Sequence, residues 1–498
     1  MEPHRRWWKK AGKDTKFLHY TLPFGAHCVL VLDADIIKDI LFSNYGENPR
    51  FKKRLNGLIP LVGNSLLTLE GTDWQRHRRI VHPSFQPGLI RESLENCIPK
   101  ILSKFIGYWE KADGREIDVD MHMSNLTLEI IGEVAFSHDF HALDWVEQWV
   151  RQGDGEGDNK NAIPNDKVIQ AMRSLFQNTA RRIVFQLLKL SFLDFSTSKS
   201  ARMLDKAVDA VITEARRKLE NNKQIGDDDE DADGGSNSST GKKVGATKTL
   251  GIHSGYGQIS LLQRLLAAEN SDSKKPSRKS LAVDELRDEV KTFILAGHET
   301  TSTWCHWAFF ALCKNPDIQK KVLEDIEKHS SEDKKADISV QMIEKMTYFD
   351  AFMNEVLRLY PPAGMIVRYN MKEEEFKGEI IPPETRLIIP IHLLHRHPNY
   401  WKDPELFQPE RWLGKEHPSS NRCAFLPFSK GPRNCIGYHF AELEAKLLLA
   451  PLIRRFAIRL APSLLDIKFT FTNSITMKLK PALKIEISSR EQKKDKIK

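Results

Sequence analysis

The residues with the most chemistry at close spacing run Phe428-Ser-Lys-Gly-Pro-Arg-Asn-Cys-Ile-Gly437. The pattern predicts a loop leading into a helix that starts near Cys435 and runs through Leu460. A cysteine at a helix N-terminus meets the positive end of the macrodipole and free backbone N–H groups, and both favour thiolate over thiol. A thiolate is a nucleophile and a metal ligand. Gly431 permits a tight turn, and Gly437 removes a side chain where a flat ligand would approach the backbone. Phe428 is placed to shield the sulfur, and Arg433 offers a cation to a carboxylate.

Two helices must position chemistry against that loop. Leu281 to Lys314 predicts one long helix, opened by Asp284 and stopped before Pro316. Its middle, Ala296-Gly-His-Glu-Thr-Thr301, suits a helix interior poorly, because glycine and adjacent threonines lower helix propensity. Local weakness in a long apolar helix marks a site, with a kink as one form it takes. Glu299 supplies a carboxylate able to gather protons and Thr300 a hydroxyl able to hold an oxygen or a water. A second helix is predicted over Val340 to Tyr360, with Met346, Phe349, Met353, Val356 and Tyr360 on one buried face and Pro361-Pro362 at its end. Glu355 and Arg358, at i and i+3, share a face of it. His392, His395 and His397 form an HxxHxH cluster, but no carboxylate or cysteine partner accompanies them, so metal binding is not expected there.

The chain that carries these residues has 498 of them, 40% hydrophobic and 29% charged, which excludes wholesale disorder and a polytopic membrane protein. Length alone would suit roughly three domains. Net charge is +8, from 75 Lys+Arg against 67 Asp+Glu, a mild surplus partly at the ends. Neither Arg/aromatic interleaving nor zinc-finger spacing appears, so nucleic acid is not an expected partner. The six cysteines are sparse and form no CxxC pair, which argues against a disulfide framework or structural zinc and for a reducing compartment. Residues 1 to 25 hold no apolar stretch near the ~20 residues of a membrane span, and no signal-peptide core. Strands are expected at His27 to Leu32, at Leu483 to Ile487, and within Gly378 to Ile391 around a turn at Pro382-Pro383. Residues 221 to 258, acidic and then rich in Gly, Ser, Asn and Lys, read as a disordered surface insertion, and Gln152 to Lys160 as a smaller loop.

The Cys435 stretch matches FxxGxRxCxG at every fixed position and so resembles the haem-binding loop of cytochromes P450. Other stretches resemble the same family in the expected order. Trp74-Gln-Arg-His-Arg78 resembles the WxxxR element that holds a haem propionate. Ala296 to Thr301 resembles the AGxETT oxygen-activation motif of helix I, Glu355-Val-Leu-Arg358 the ExxR of helix K, and Pro409-Glu-Arg-Trp412 the PERF element. The resemblance covers roughly residues 25 to 490.

It implies a mainly α fold with small β-sheets (α+β), a single domain over residues 1–498, with a long central helix I and a proximal helix L sandwiching haem b. Cys435 becomes the axial ligand of the haem iron, and a thiolate in that place favours O–O cleavage. Trp74, Arg78, Arg368 and Arg433 become propionate partners. Phe428, Gly431, Gly437, Ala296 and Gly297 become contacts of the cofactor, and Glu299 with Thr300 the catalytic proton relay. Glu355, Arg358 and Arg411 become the network that holds the cysteine loop. The implied function is a monooxygenase hydroxylating a small lipophilic substrate with O₂. Phe293, Ala296, Gly297 and Ala363 to Val367 line its pocket. Electrons come from an external NADPH-cytochrome P450 reductase or another donor, met by a basic face of Lys430, Arg433 and Lys446.

The family's membrane-bound eukaryotic members imply the cytoplasmic face of the endoplasmic reticulum. With no anchor in the sequence, the expectation is a truncated or peripherally attached monomer. The alternative is a reductase-independent haem-thiolate isomerase or dehydratase acting on hydroperoxides. Those relatives typically lose the helix I threonine and alter the cysteine loop, and neither change is seen here. Trp412 departs from the usual Phe of PERF while remaining aromatic.

Overall fold

The computed structural model describes residues 2–21, 27–43, 51–52, 58–152, 195–230, 260–269, 280–473 and 476–490. The helices that matter below are α1 (Glu2–Ala11), α2 (Ala34–Phe42), α3 (Gly71–Val81), α4 (Pro87–Lys111), α5 (Val119–Ile131), α6 (Phe195–Glu230), α7 (Val283–Lys314), α8 (Pro316–His329), α9 (Thr347–Leu359) and α10 (Tyr438–Arg455). Small sheets flank them. One has five strands in the order β1 (Phe17–Thr21), β2 (His27–Val31), β8 (Arg386–Ile389), β5 (Ile366–Asn370) and β3 (Phe51–Lys52). A second is β4 (Glu116–Asp118), β12 (Lys484–Ser489) and β9 (Phe456–Leu460). The hairpins β6 (Glu374–Phe376)–β7 (Glu379–Ile381) and β10 (Thr470–Asn473)–β11 (Met477–Lys480) complete the set. The expected mainly helical architecture with small sheets is the one observed.

α7 is the axis of the molecule. Nearly every side chain from Glu289 to Leu312 is buried, which a helix achieves only when neighbours cover it all round. Its N-terminus is capped from Glu285, whose carboxylate accepts the Ala282 N–H at 2.9 Å, rather than opened by Asp284. The expected weak centre stays helical. Thr300 donates to the Ala296 carbonyl at 2.8 Å and Thr303 to the Glu299 carbonyl at 2.7 Å, so the hydroxyls bond back into their own helix.

Two predicted helices differ in extent. The one expected over 340–360 is broken into Val340–Ile343 and α9. The Asp325 carboxylate of α8 accepts the N–H groups of Tyr348 (2.8 Å) and Phe349 (2.9 Å), and so caps a fresh N-terminus there. The helix expected to run from Cys435 to Leu460 is α10, which ends at Arg455. Phe456–Leu460 leaves it as β9 and pairs antiparallel with β12. Of the 221–258 segment, residues 221–230 continue α6, and the rest lies outside the described residues, as does the loop expected beyond Gln152.

Candidate functional site

The loop ahead of α10 is fixed by its own backbone. Cys435 N–H donates to the Phe428 carbonyl at 2.9 Å, Ser429 N–H to Leu426 at 3.0 Å, and Asn434 N–H to Gly431 at 3.0 Å. Gly431 has φ +78°, and a Cβ there would lie 2.4 Å from the Leu41 carbonyl oxygen of α2, so both conformation and space demand glycine. Ser429, which the sequence does not flag, also takes a positive φ of 59°. No disulfide forms among the six cysteines. Four are buried, Cys313 is half-buried and Cys435 is exposed. Its sulfur precedes the first turn of α10 rather than sitting in it, because Gly437 is the N-cap. The Phe428 ring lies edge-on between Trp304 of α7 (6.0 Å) and Tyr438 of α10 (5.0 Å).

Cations gather beside the loop. The Arg433 guanidinium stacks 4.3 Å over the Trp74 ring and donates to the Leu69 carbonyl (2.7 Å) and the Glu70 carboxylate (2.5 Å). Arg78 reaches Asn434 twice, at its carbonyl (3.1 Å) and its side-chain oxygen (3.0 Å). Arg368 is buried on β5 and donates to the Val367 carbonyl at 2.9 Å. Burial, and then the neighbouring Arg433, pull its pKa down to about 10, which leaves it charged at neutral pH. The Nε groups of Arg368 and Arg433 are buried with no acceptor. Each guanidinium thus keeps one buried N–H unsatisfied beside its other bonds, which is costly until an acceptor is supplied. A ligand bearing carboxylates, such as the propionates of haem, fits this donor set, and Cys435, two residues from Arg433, is an exposed thiol in no disulfide.

On α7, Ala296 is exposed and Gly297 and Thr300 are half-buried, whereas Glu299 is buried. The Glu299 carboxylate does not bond Thr300. It accepts the Thr476 hydroxyl at 2.7 Å and pairs with Lys478 at 3.0 Å, both beside α7 at the β11 hairpin. Gly297 has a packing role: a Cβ there would lie 2.6 Å from Cγ1 of Ile131 on α5. Phe293 stacks on Phe85 at 5.4 Å, and Phe85 also lies 3.8 Å from where a Gly437 Cβ would be. Sequence reasoning passed over Phe85, although it follows the Trp74–Arg78 stretch closely. In the expected pocket segment Ala363 and Met365 are exposed, and Ile366 and Val367 are half-buried.

Glu355 and Arg358 are both fully buried and joined by two bonds of 2.8 Å. Glu355 also accepts from Gln408 N–H (2.8 Å), Arg411 Nε (3.1 Å) and Trp412 Nε1 (2.9 Å). Arg358 donates its remaining hydrogens to the carbonyls of His395 (2.9 Å), Pro404 (2.6 Å) and Leu406 (2.9 Å). His395 carries the network onward. Its Nδ1–H donates to the Arg358 carbonyl at 3.1 Å, and its Nε2 accepts Leu426 N–H at 2.8 Å, two residues before Phe428. The histidine cluster is therefore structural: His392 bonds the Gly364 carbonyl, and His397 accepts Asn399 N–H and packs on Trp8.

The expected basic face is not built from the residues named for it. Arg433 is buried, Lys446 is buried against Asp350 (2.5 Å) and Glu442 (3.1 Å), and Lys430 donates to the Arg422 carbonyl.

Compared with known proteins, residues 9–485 match the family model described as Cytochrome P450. The chain is similar to Cytochrome P450 CYP72A616 of Paris polyphylla, 28% identical over 87% of this chain and 75% of that protein. It is similar to human Cytochrome P450 4F2, 27% identical over 85% and 74%. A shorter match, to pig Cytochrome P450 3A29, is 36% identical over 45% of this chain and 44% of that one. Among solved structures, the heme domain of cytochrome P450DA superposes with a TM-score of 0.72 at 20% identity, covering 95% of this chain and 90% of that one.

Proposed function

The chain belongs to the cytochrome P450 family, a haem-containing monooxygenase, and from that premise we propose that it hydroxylates a lipophilic substrate with O₂, using electrons from a separate reductase. Haem held through a thiolate supplies O–O bond cleavage. The observation that carries this reading is that Arg433, two residues before Cys435, stands next to Arg368, with the Nε of both arginines buried without an acceptor and so suited to propionates.

The chain's own residues then divide the work. Cys435 ligates iron, and the Phe428 carbonyl fixes its backbone. The Phe428 ring is wedged between Trp304 and Tyr438 and so braces the start of the loop. Arg78, Arg368, Arg433 and Trp74 hold the propionate edge. Thr300 presents a hydroxyl on the exposed side of α7 beside Ala296, placed to hold water or oxygen. Glu299 supplies protons to that side. The apolar side chains of Phe85, Phe293, Ala296, Ala363 and Met365 favour a lipophilic substrate.

No helix among the described residues is long and apolar enough to cross a membrane. Peripheral contact with the endoplasmic reticulum surface is supported by α1, where Trp7 is 41% exposed beside the exposed Arg6, Lys9 and Lys10.

The deciding experiment is the absorption spectrum of the dithionite-reduced protein under carbon monoxide. A Soret band at the red-shifted position of thiolate-ligated haem is expected, lost in Cys435→Ser. A band typical of histidine-ligated haem, or no bound haem, would overturn the assignment.

A further inference from the structure

Glu299 stands at the inner end of a row of alternating charges. Its carboxylate meets Lys478 Nζ at 3.0 Å, and the same ammonium meets Asp120 of α5 at 3.1 Å. The row is graded in exposure. The Glu299 side chain is 8% exposed, whereas Lys478 and Asp120 are 28% and 27% exposed. It therefore runs from solvent to the centre of α7.

The strand holding the lysine is fixed on both sides. Trp307 of α7 donates its indole N–H to the Met477 carbonyl at 2.9 Å, and Met477 N–H donates to Pro362 at 2.9 Å. Thr476 adds a hydrogen bond to Glu299 from the same stretch.

The surroundings keep the lysine charged. Burial alone pulls the Lys478 pKa down, but Asp120 and Glu299 outweigh it and hold the group above its ordinary value. The other titratable groups nearby are neutral or oppose proton loss. His306, buried seven residues along α7 from Glu299, is pushed down to about 4 by burial, and both its ring nitrogens are without partners. Asp118 is pushed up to about 6 by burial and by Asp120.

We propose that Lys478 is a positioning residue for proton delivery: it holds the Glu299 carboxylate against β11, so that protons reach α7 along the Asp120–Lys478 edge and not through the substrate pocket. Lys478 itself stays protonated, and a proton that Glu299 gives up is replaced from water at the half-exposed Lys478–Asp120 edge, so the charge of the row is restored. This rests on Glu299 being the carboxylate that serves the oxygen side of α7.

The test uses haem-loaded protein and the variants Lys478→Met, Lys478→Arg and Thr476→Val. Infrared spectra read the ionisation of Glu299 directly. A buried carboxylate stripped of its cation takes up a proton, so Lys478→Met gains a neutral-carboxyl band that vanishes when Glu299→Gln is added. Lys478→Arg shows no such band. In parallel, reductase-driven O₂ consumption falls roughly a hundredfold in Lys478→Met, the lower end of what a positioned proton donor contributes. Its solvent deuterium isotope effect rises. Lys478→Arg restores both, whereas Thr476→Val, which removes the other tie on Glu299 but keeps the cation, gives no neutral-carboxyl band.

Absence of the carboxyl band, together with an unchanged isotope effect in Lys478→Met, would overturn the proposal. Loss of the thiolate-type carbon monoxide band in the wild-type protein would instead remove the monooxygenase reading, and the infrared result would still decide the lysine's role.

Discussion

Trp412 donates its indole N–H to Oε2 of Glu355 at 2.9 Å, so the residue that replaces a phenylalanine adds a donor to a fully buried carboxylate. A hydrogen bond to a charged group contributes about 1.5–3 kcal/mol. Trp412→Phe keeps the aromatic packing on Phe425 (4.7 Å) and loses only the donor. Chemical denaturation should show a loss of that order, with faster haem release. An unchanged midpoint would mean that the other donors to Glu355 already satisfy it.

Glu355→Leu should be far worse, by about 3–5 kcal/mol, because it strands the buried Arg358 guanidinium. Glu355→Leu combined with Arg358→Leu should recover part of that loss if stranding is the cause. Thermal melting of the single and double variants separates the two terms.

Acid stability should follow the buried histidines. Burial pushes His122, His392 and His395 down to about 3 and His306 to about 4. Each folded pKa is depressed, so the unfolded chain binds more protons below pH 6.5. The stabilisation is complete above that pH and is lost as pH falls toward the folded values. Each histidine contributes a slope of up to about 1.4 kcal/mol per pH unit in that window. Replacing His395 by Gln should flatten the acid limb of a stability–pH curve by about one proton. An unchanged slope would show that His395 is not neutral in the fold.

The propionate reading predicts that Arg368→Leu retains the fold but transfers haem to apomyoglobin at least tenfold faster. That corresponds to losing one charge-assisted hydrogen bond. Equal transfer rates would remove Arg368 from the cofactor site.

Gly297→Ala should loosen the contact of α7 with α5, because the new methyl meets Ile131. Ile131→Val, which removes one methyl, should recover part of the stability if packing is the cause. A Gly297→Ala variant as stable as the wild type would place the glycine's role elsewhere.

Much of this site was legible in the sequence because its chemistry is local. The loop from Phe428 to Gly437, the Glu355–Arg358 pair and Arg411 each sit within a short motif, and the structure joins the last three in one buried network. What the sequence hid depends on distant partners. Nothing near Glu299 announces Lys478 or Thr476, which arrive on a hairpin from the far end of the chain. Lys446 reads as a surface cation until Asp350 is placed against it. The break before α9 depends on the Asp325 carboxylate of another helix, and the end of α10 on β12 offering a partner to Phe456–Leu460. Periodicity within a segment carries no information about any of these.

The fit of Gly431 against the Leu41 carbonyl bears on how the protein is made. α2 leaves the ribosome well before the cysteine loop, because most of the described fold lies between them in sequence. Until the loop is made, the α2 backbone that shapes it has no partner, so a nascent chain stalled before Gly431 cannot complete the turn that presents Cys435.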